Sequence, residues 1–255
     1  MAGRQWLLAT LSEDAPRLAA EHGLGLEIDA FCTAANMDEG FPQWDAAVRG
    51  QLAVAPGRVL HAPFAELFPC AIDPAARALA MQRLCRAADI ARGYGIRRMV
   101  VHSGFIPRVY FPEWFEARSA EFWQEFLEKQ GADFELLVEN VLDEDPRSLA
   151  RMLEAVNDPR ARFCLDVGHA NVASPRPLSA WVEALAPFLS HVHLHDNHGG
   201  WDEHNPPGGG TIDIAGLLAL LDRLAPKASV TLECPDAAGA AAWVEGLRRH
   251  TQCPA

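Results

Sequence analysis

The sequence predicts an α/β protein that folds as a single (β/α)8 barrel. Eight strand-like segments alternate with eight helical segments, which is typical of a parallel sheet with crossover helices. Candidate metal ligands also stand at the C-terminal ends of strands three to eight. Only closure brings six consecutive strand ends around one point, because the outermost ends in an open doubly wound sheet would lie roughly 20 Å or more apart at about 4.8 Å per strand. The closed barrel is therefore favoured over the open sheet.

Short apolar segments bounded by turn residues predict the strands. The seventh strand is distinctive, because three histidines alternate with Val192 and Leu194 and so share one face of the strand. The predicted strands, in order, are Gln5–Thr10, Leu24–Phe31, Arg58–His61, Arg98–Ser103, Phe134–Asn140, Arg162–Val167, His191–Asp196 and Ala228–Cys234.

Helices are predicted from apolar residues at helical spacing and from residues that favour a helix start. Asp73 with Pro74, and Asp145 with Pro146, combine a capping side chain with a proline suited to the first turn. The predicted helices are Ala15–His22, Gln43–Leu52, Asp73–Gly93, Glu116–Gln130, Pro146–Val156, Leu178–Phe188, Ile214–Leu224 and Ala238–Arg249.

Composition limits the domain organisation and the partners. No linker-like stretch divides the 255 residues, so we predict one domain over residues 1–255. The net charge of −12 opposes general attraction to nucleic acid or to an anionic membrane, and no run of 18 apolar residues predicts a membrane span. The scattered cysteines are typical of reduced core thiols, and the apolar run Trp6–Leu11 is too short for a signal peptide. Both observations predict a cytoplasmic protein. The six cysteines are Cys32, Cys70, Cys85, Cys164, Cys234 and Cys253.

A histidine-rich segment, residues 191–213, carries the clearest chemical signal. It contains five of the ten histidines, and the sequence Asp202-Glu203-His204 follows the seventh strand. Carboxylate and imidazole donors gathered in this way suit zinc, manganese or iron. Gly208 to Gly210 come next, and they either let backbone amides approach an anion or only turn the chain into the following helix.

Nine candidate metal ligands lie at strand ends or just beyond them. Active sites of (β/α)8 barrels lie at this end of the barrel, so we expect the nine side chains to meet there. Carboxylates buried together without a cation would cost several kcal/mol, which indicates a divalent metal or a shared proton. The nine candidates are His61, His102, Glu139, Asp166, His169, His193, Asp202, His204 and Glu233.

These residues stand within motifs that resemble the xylose isomerase-like TIM-barrel superfamily, which contains sugar isomerases and epimerases as well as phosphodiesterases of the endonuclease IV type. The resemblance covers strands three to eight. The matching motifs are HAP at His61, VVHSG at His102, LLVEN at Glu139, LDVGHA at Asp166 and His169, HLHDN at His193, DEH at Asp202 and His204, GGGTID from Gly208, and TLEC at Glu233.

The resemblance implies two functions for one set of donors. In the isomerase and epimerase branch, one divalent ion, usually manganese, is held by residues matching Glu139, Asp166, His193 and Glu233, and the residue matching His169 contacts the substrate. In the endonuclease IV branch the same positions belong to a three-zinc site. Glu139 would bridge two zinc ions there, and the remaining candidates would complete the three sites. The expected cofactor is therefore one to three zinc or manganese ions.

The reaction predicted from these residues is isomerisation or epimerisation of a small sugar, polyol ketone or sugar phosphate. Such a reaction needs acid–base groups beside a cation, and we expect Glu139, Glu233 and His169 to be catalytic. A metal-dependent phosphodiesterase is the alternative, although a chain with two lysines is poorly suited to DNA. A metal or sugar binder without turnover is a third possibility, and the sequence leaves a homo-oligomer open.

Aromatic residues near the strand ends are candidates for stacking on the apolar face of a sugar ring. Packing within the long loops explains each of them equally well when it is considered alone. They are Phe31, Phe64, Phe105, Tyr110, Trp114 and Trp201.

Overall fold

Eight parallel strands form a closed barrel, in which each strand pairs with the next and β1 pairs with β8. The structure is a computed structural model that describes the backbone of residues 4–252 and the side chains of residues 4–246. The strands are β1 Trp6–Ala9, β2 Gly25–Ile28, β3 Arg58–His61, β4 Arg98–His102, β5 Glu135–Glu139, β6 Ala161–Asp166, β7 Leu189–Leu194 and β8 Ser229–Leu232. This topology confirms the predicted (β/α)8 barrel.

Ten helices lie within the described residues. They are α1 Ala15–His22, α2 Ala34–Met37, α3 Phe41–Leu52, α4 Pro74–Gly93, α5 Pro112–Glu128, α6 Pro146–Val156, α7 Val167–Ala173, α8 Leu178–Leu185, α9 Ile214–Leu224 and α10 Ala237–Gln252. The short helices α2 and α7 are additions to the eight predicted, and α5 begins at Pro112, four residues before its predicted start. No helix in the described part of the chain is long and apolar enough to cross a membrane.

Aspartate side chains begin several of the helices. Asp73 accepts a hydrogen bond from the Ala75 amide at 2.7 Å, and Asp145 accepts one from the Arg147 amide at 3.0 Å. Each carboxylate satisfies an amide that has no partner within its helix, which stabilises that helix end by about 1 kcal/mol. The predicted starts of α4 and α6 are therefore correct.

The main core lies between the strands and the surrounding helices, where large side chains such as Trp123, Trp181 and Phe163 are fully buried. A second, smaller apolar cluster fills part of the barrel interior. The rest of the interior is polar, and this polar column leads up to the C-terminal mouth. The five described cysteines are free, and Cys253 lies outside the described residues. Residues 1–3 and 253–255 of the predicted domain also lie outside them.

Candidate metal centre

The strand ends bring all nine candidate ligands around one cavity of about 700 Å³ at the barrel mouth. Eight of them line its wall, and His193 lies buried directly beneath. The parallel register explains the convergence, because it pairs His102 with Glu139 and Asp166 with His193 at neighbouring strand ends. Five of the ligands therefore lie on strands and Glu233 directly follows β8, whereas the other three come from the segments that follow β6 and β7.

An inner group of four side chains consists of His193 and three carboxylates that surround its Nδ1 atom. This atom lies 3.2 Å from Oε1 of Glu233, 3.3 Å from Oε1 of Glu139 and 3.7 Å from Oδ2 of Asp166. Ligands held 2.0–2.2 Å from one ion in tetrahedral geometry are about 3.4 Å apart. The observed spacing therefore suits a single divalent cation shared by these four residues.

The two carboxylate oxygens of Glu139 face different histidines. Oε1 lies 3.3 Å from Nδ1 of His169 as well as from His193, whereas Oε2 lies 3.3 Å from Nε2 of His61 and 3.5 Å from Nε2 of His102. Oε2 is buried, and no group in the described residues makes a hydrogen bond to it. With its two oxygens facing different histidines, Glu139 has the placement of a ligand that could bridge two cations.

The loop after β7 contributes a third group of donors. Oδ2 of Asp202 lies 2.9 Å from Nε2 of His204 and 3.3 Å from Nε2 of His169, and Nδ1 of His204 lies 3.6 Å from Oε2 of Glu233. Asp202 Oδ1 and His204 Nδ1 are both buried without a hydrogen-bond partner among the described residues. The loop thus places two further buried polar atoms, which have no hydrogen-bond partner among the described residues, beside the inner group.

A buried aspartate, Asp196, fixes the shape of that loop. Its carboxylate accepts hydrogen bonds from the amides of Gly208, Gly210 and Ile212 at 2.9–3.1 Å, and its backbone pairs with Asn205. A Cβ on Gly210 would lie 2.3 Å from a backbone oxygen, so only glycine fits there. The glycine amides therefore do approach an anion, but that anion is the side chain of Asp196.

The buried carboxylates and imidazoles of the cavity shift one another's pKa values. Burial raises the pKa of the Glu139 carboxyl, but the charge of His193 and the hydrogen bonds from His169 and His193 outweigh burial and hold that pKa well below its usual range. Elsewhere burial dominates: it raises the pKa of Glu233, and burial together with Glu27 raises the pKa of Asp29 to about 7. Burial lowers the pKa of His61, but Glu139 outweighs burial and raises that pKa to about 9, so protonated imidazoles balance buried carboxylates when no metal is bound. Together with the unpartnered oxygen of Glu139, this donor set fits a divalent cation such as zinc or manganese.

Three buried residues near this centre were not among the predicted site residues. Glu27 and His191 lie below His193 inside the barrel, and His195 is buried with Nε2 at 3.1 Å from Oδ1 of Asp166. The alternation of the seventh strand placed His191, His193 and His195 on one face. It did not indicate that all three reach buried carboxylates.

The aromatic candidates are divided by the structure. Phe64 lines the cavity and stacks on His102, with ring centroids 4.4 Å apart. Phe31 is fully buried and contacts Phe41 and Tyr94, so its proposed contact with a sugar is wrong. Trp201 is 77% exposed and is not part of the cavity wall.

Comparison with known proteins identifies relatives of the chain. It is 27% identical over 185 residues to an uncharacterized protein of Methanocaldococcus jannaschii, a match that covers 69% of this chain and 63% of that relative. The match therefore spans less than two thirds of the relative's length.

Solved structures share the whole fold. A D-tagatose 3-epimerase-like protein superposes with a TM-score of 0.81 at 23% identity over 97% of both chains. The TTHB071 protein from Thermus thermophilus, in crystals soaked with ZnCl2, gives a TM-score of 0.75 at 28% identity over 99% of this chain and 100% of that one. The IolI protein with a bound zinc atom gives a TM-score of 0.74 at 15% identity, over 97% of this chain and 96% of that one.

The family model described as "Xylose isomerase-like TIM barrel" matches residues 12–253. This match covers β2 to β8 and all nine candidate ligands. The chain therefore belongs to the xylose isomerase-like TIM-barrel family.

Proposed function

We propose that this protein is a divalent-metal-dependent isomerase or epimerase that acts on a small sugar or polyol ketone. The observation that supports it most is the inner group, in which Glu139, Asp166, His193 and Glu233 surround one point at the base of an open cavity. Structural neighbours include a D-tagatose 3-epimerase-like protein and a D-allulose 3-epimerase in complex with D-allulose. The cofactor would be zinc or manganese, with one to three ions.

The chemistry of the proposal is a proton transfer beside a carbonyl group. A bound divalent ion would hold adjacent substrate oxygens and stabilise the negative charge that develops on them. Glu139 ends β5 and Glu233 follows β8, and one oxygen of each lies within 3.3 Å of Nδ1 of His193, so each would be able to exchange a proton with a carbon bound beside that atom. His169, at the cavity wall, would contact the substrate.

The charge of the cavity favours an uncharged substrate over a sugar phosphate. The wall contains no lysine or arginine among the described residues, and it carries six carboxylate side chains. Such a surface repels a phosphate group wherever a metal ion does not contact it directly. Hydroxyl groups of a neutral sugar can instead donate hydrogen bonds to these carboxylates, while Phe64 offers an apolar face.

A multi-zinc phosphodiesterase of the endonuclease IV type is the second candidate. It is favoured by the additional donors, because His61 and His102 face the second oxygen of Glu139 and the Asp202 loop supplies a third group. The absence of lysine and arginine from the described cavity wall and the net charge of −12 oppose it, since a DNA backbone needs several basic contacts.

One experiment separates these functions. The purified protein would first be analysed for bound metal, and then assayed with a panel of free ketohexoses, matching sugar phosphates and an abasic DNA duplex, with and without a chelator. We expect metal-dependent interconversion of a neutral sugar and weak DNA binding at physiological salt. Strand nicking with submicromolar, salt-sensitive affinity would replace the isomerase assignment with the phosphodiesterase. Bound metal without turnover of any substrate would leave a binding protein.

A further inference from the structure

The interior of this barrel contains a buried carboxylate that the proposed reaction does not use. Glu27, on β2, is fully buried although barrel interiors are usually filled by apolar side chains. It reaches across the interior toward β8 and β7, which are the second and third strands from β2 around the barrel. A carboxylate held in this way is costly unless it is fully hydrogen-bonded, so its partners indicate why it is present.

Glu27 is hydrogen-bonded through both oxygens. Oε1 accepts from Nε2 of His193 at 3.0 Å, and Oε2 accepts from Nε2 of His191 at 3.0 Å and from the hydroxyl of Thr231 at 2.5 Å. The register of β7 and β8 places these partners side by side, because His193 pairs with Thr231. One carboxylate therefore joins two histidines of the same strand.

A second set of contacts holds His191. Its Nδ1 lies 2.6 Å from the hydroxyl of Ser229, and that hydroxyl accepts a hydrogen bond from Arg98 at 2.8 Å. Because Nε2 of His191 donates to Glu27, its Nδ1 accepts from Ser229. The hydrogen bonds thus run without a break from Arg98, through Ser229, His191 and Glu27, to His193.

The direction of these bonds sets the orientation of His193. With Nε2–H directed at Glu27, Nδ1 is directed at Glu139, Glu233 and Asp166, and loss of the Nδ1 proton would leave its lone pair facing the metal position. A flipped ring would turn a carbon atom toward the metal position and leave Glu27 without one of its donors. Metal-binding histidines commonly depend on such a carboxylate beyond the ligands themselves.

We propose that Glu27 is a positioning residue that fixes His193 with Nδ1 toward the metal position, and that His191 holds Glu27 in place. This inference rests on the proposed metal site, but it concerns metal binding rather than the reaction catalysed. Its test therefore measures affinity for the ion alone. A protein that binds zinc yet converts no sugar would contradict the proposed function and leave this inference standing.

The experiment compares zinc affinity by competitive titration in Glu27→Leu, Glu27→Gln and Thr231→Val. Glu27→Leu removes the acceptor for His193 and should weaken zinc binding about 10- to 100-fold. Glu27→Gln keeps one oxygen acceptor and should lose less. Thr231→Val is the matched control, because it removes a hydrogen bond to the same carboxylate and a 2.9 Å contact with His191 but leaves both hydrogen bonds from the histidines to Glu27. We expect its affinity to stay within about threefold of the unsubstituted protein.

A spectroscopic measurement checks the orientation directly. In the zinc-bound, ¹⁵N-histidine-labelled protein, His193 should show a protonated Nε2 and a metal-bound Nδ1, and this signature should be lost in Glu27→Leu while that of His204 remains. Circular dichroism checks that each variant is folded. Metal binding through Nε2 of His193, or unchanged zinc affinity in Glu27→Leu, would overturn the proposal. If Glu27→Leu does not fold, unchanged zinc affinity in Glu27→Gln would overturn the proposal instead.

Discussion

His195 and His204 stack face to face, with ring planes 2° apart and centroids 4.0 Å apart. Nδ1 of each ring is buried without a hydrogen-bond partner in the described part of the chain. His195 Nδ1 lies 3.6 Å from Oδ1 of Asp202, which is itself unpartnered. The stack therefore attaches the loop after β7 to the barrel while leaving three polar atoms available to an ion or a substrate.

This arrangement predicts that the loop donors affect metal content. The double variant Asp202→Ala, His204→Ala should bind fewer metal ions than the unsubstituted protein and turn over substrate more slowly, because the third group of donors is gone. His198→Ala is the control, since it removes an exposed histidine from the same loop. Elemental analysis and steady-state assays measure both effects. Full metal content and full activity in the double variant would make this segment structural only.

The ring of His195 should leave no room for a side chain at position 168. A Cβ built on Gly168 would lie 1.8 Å from Cε1 of His195, and that ring is fully buried. Gly168→Ala should therefore lower the free energy of unfolding by about 1–3 kcal/mol. Gly50→Ala, in α3 where no atom lies within 4 Å of the new Cβ, should instead stabilise by up to about 1 kcal/mol. Urea denaturation compares the two, and equal effects would contradict the steric explanation.

The buried carboxyl of Asp143 should make the free energy of unfolding depend on pH. Burial raises the pKa of its carboxyl to about 6, Oδ2 accepts hydrogen bonds from Ser103 and Val141, and Oδ1 has no partner in the described residues. Because the folded-state pKa is above the unfolded value, its contribution to stability is present at low pH and is lost as pH rises through about 6. The loss is on the order of 3 kcal/mol.

Asp143→Asn should remove that contribution from the pH profile. Its amide can retain the acceptor oxygen for Ser103 and Val141 and introduces no charge. The difference in unfolding free energy between the variant and the unsubstituted protein should grow in favour of the variant between about pH 4 and pH 7. Urea denaturation across this range measures it. A difference independent of pH would show that Asp143 is not the titrating group.

The barrel itself could be predicted because its strands are short apolar runs and its helices carry local start signals. Helix α7 could not be predicted, because it begins at Val167, directly after the last residue of β6, with no loop between them. The position of Asp166 is explained only in three dimensions: its carboxylate caps α7 through the amide of His169 at 2.7 Å and also faces His193. One residue thus ends a strand, starts a helix and faces the metal position.

The candidate ligands could be predicted because strand order alone brings strand ends together in a barrel. Glu27 was harder to assign, although its alternation with Leu26 and Ile28 is clear in the sequence. Its partners are 164 to 204 residues away along the chain, namely His191, His193 and Thr231. The burial of Phe31 could not be predicted either, because an aromatic residue that follows a strand suits the core and the barrel mouth equally well. Contacts between side chains across a closed barrel can be assigned only from the three-dimensional structure.

Glu233 is the residue whose replacement best tests the metal centre. Its Oε1 lies 3.2 Å from Nδ1 of His193, and its Oε2 lies 3.6 Å from Nδ1 of His204. Glutamine has nearly the same volume and removes the charge, so Glu233→Gln should lose most of its metal and activity without a cavity or a clash. Glu154→Gln, on the exposed face of α6, is the matched control and should bind metal normally.

The stability of Glu233→Gln should distinguish a lost ligand from a damaged fold. Burial raises the pKa of the Glu233 carboxyl, which means that the surrounding protein disfavours its charge when no metal is present. In the presence of a chelator, the variant should therefore melt at the same temperature as the unsubstituted protein or higher. When zinc or manganese is added, only the unsubstituted protein should gain thermal stability, because only it binds the ion tightly. An equal gain in both proteins, with unchanged metal stoichiometry, would remove Glu233 from the ligands of the ion.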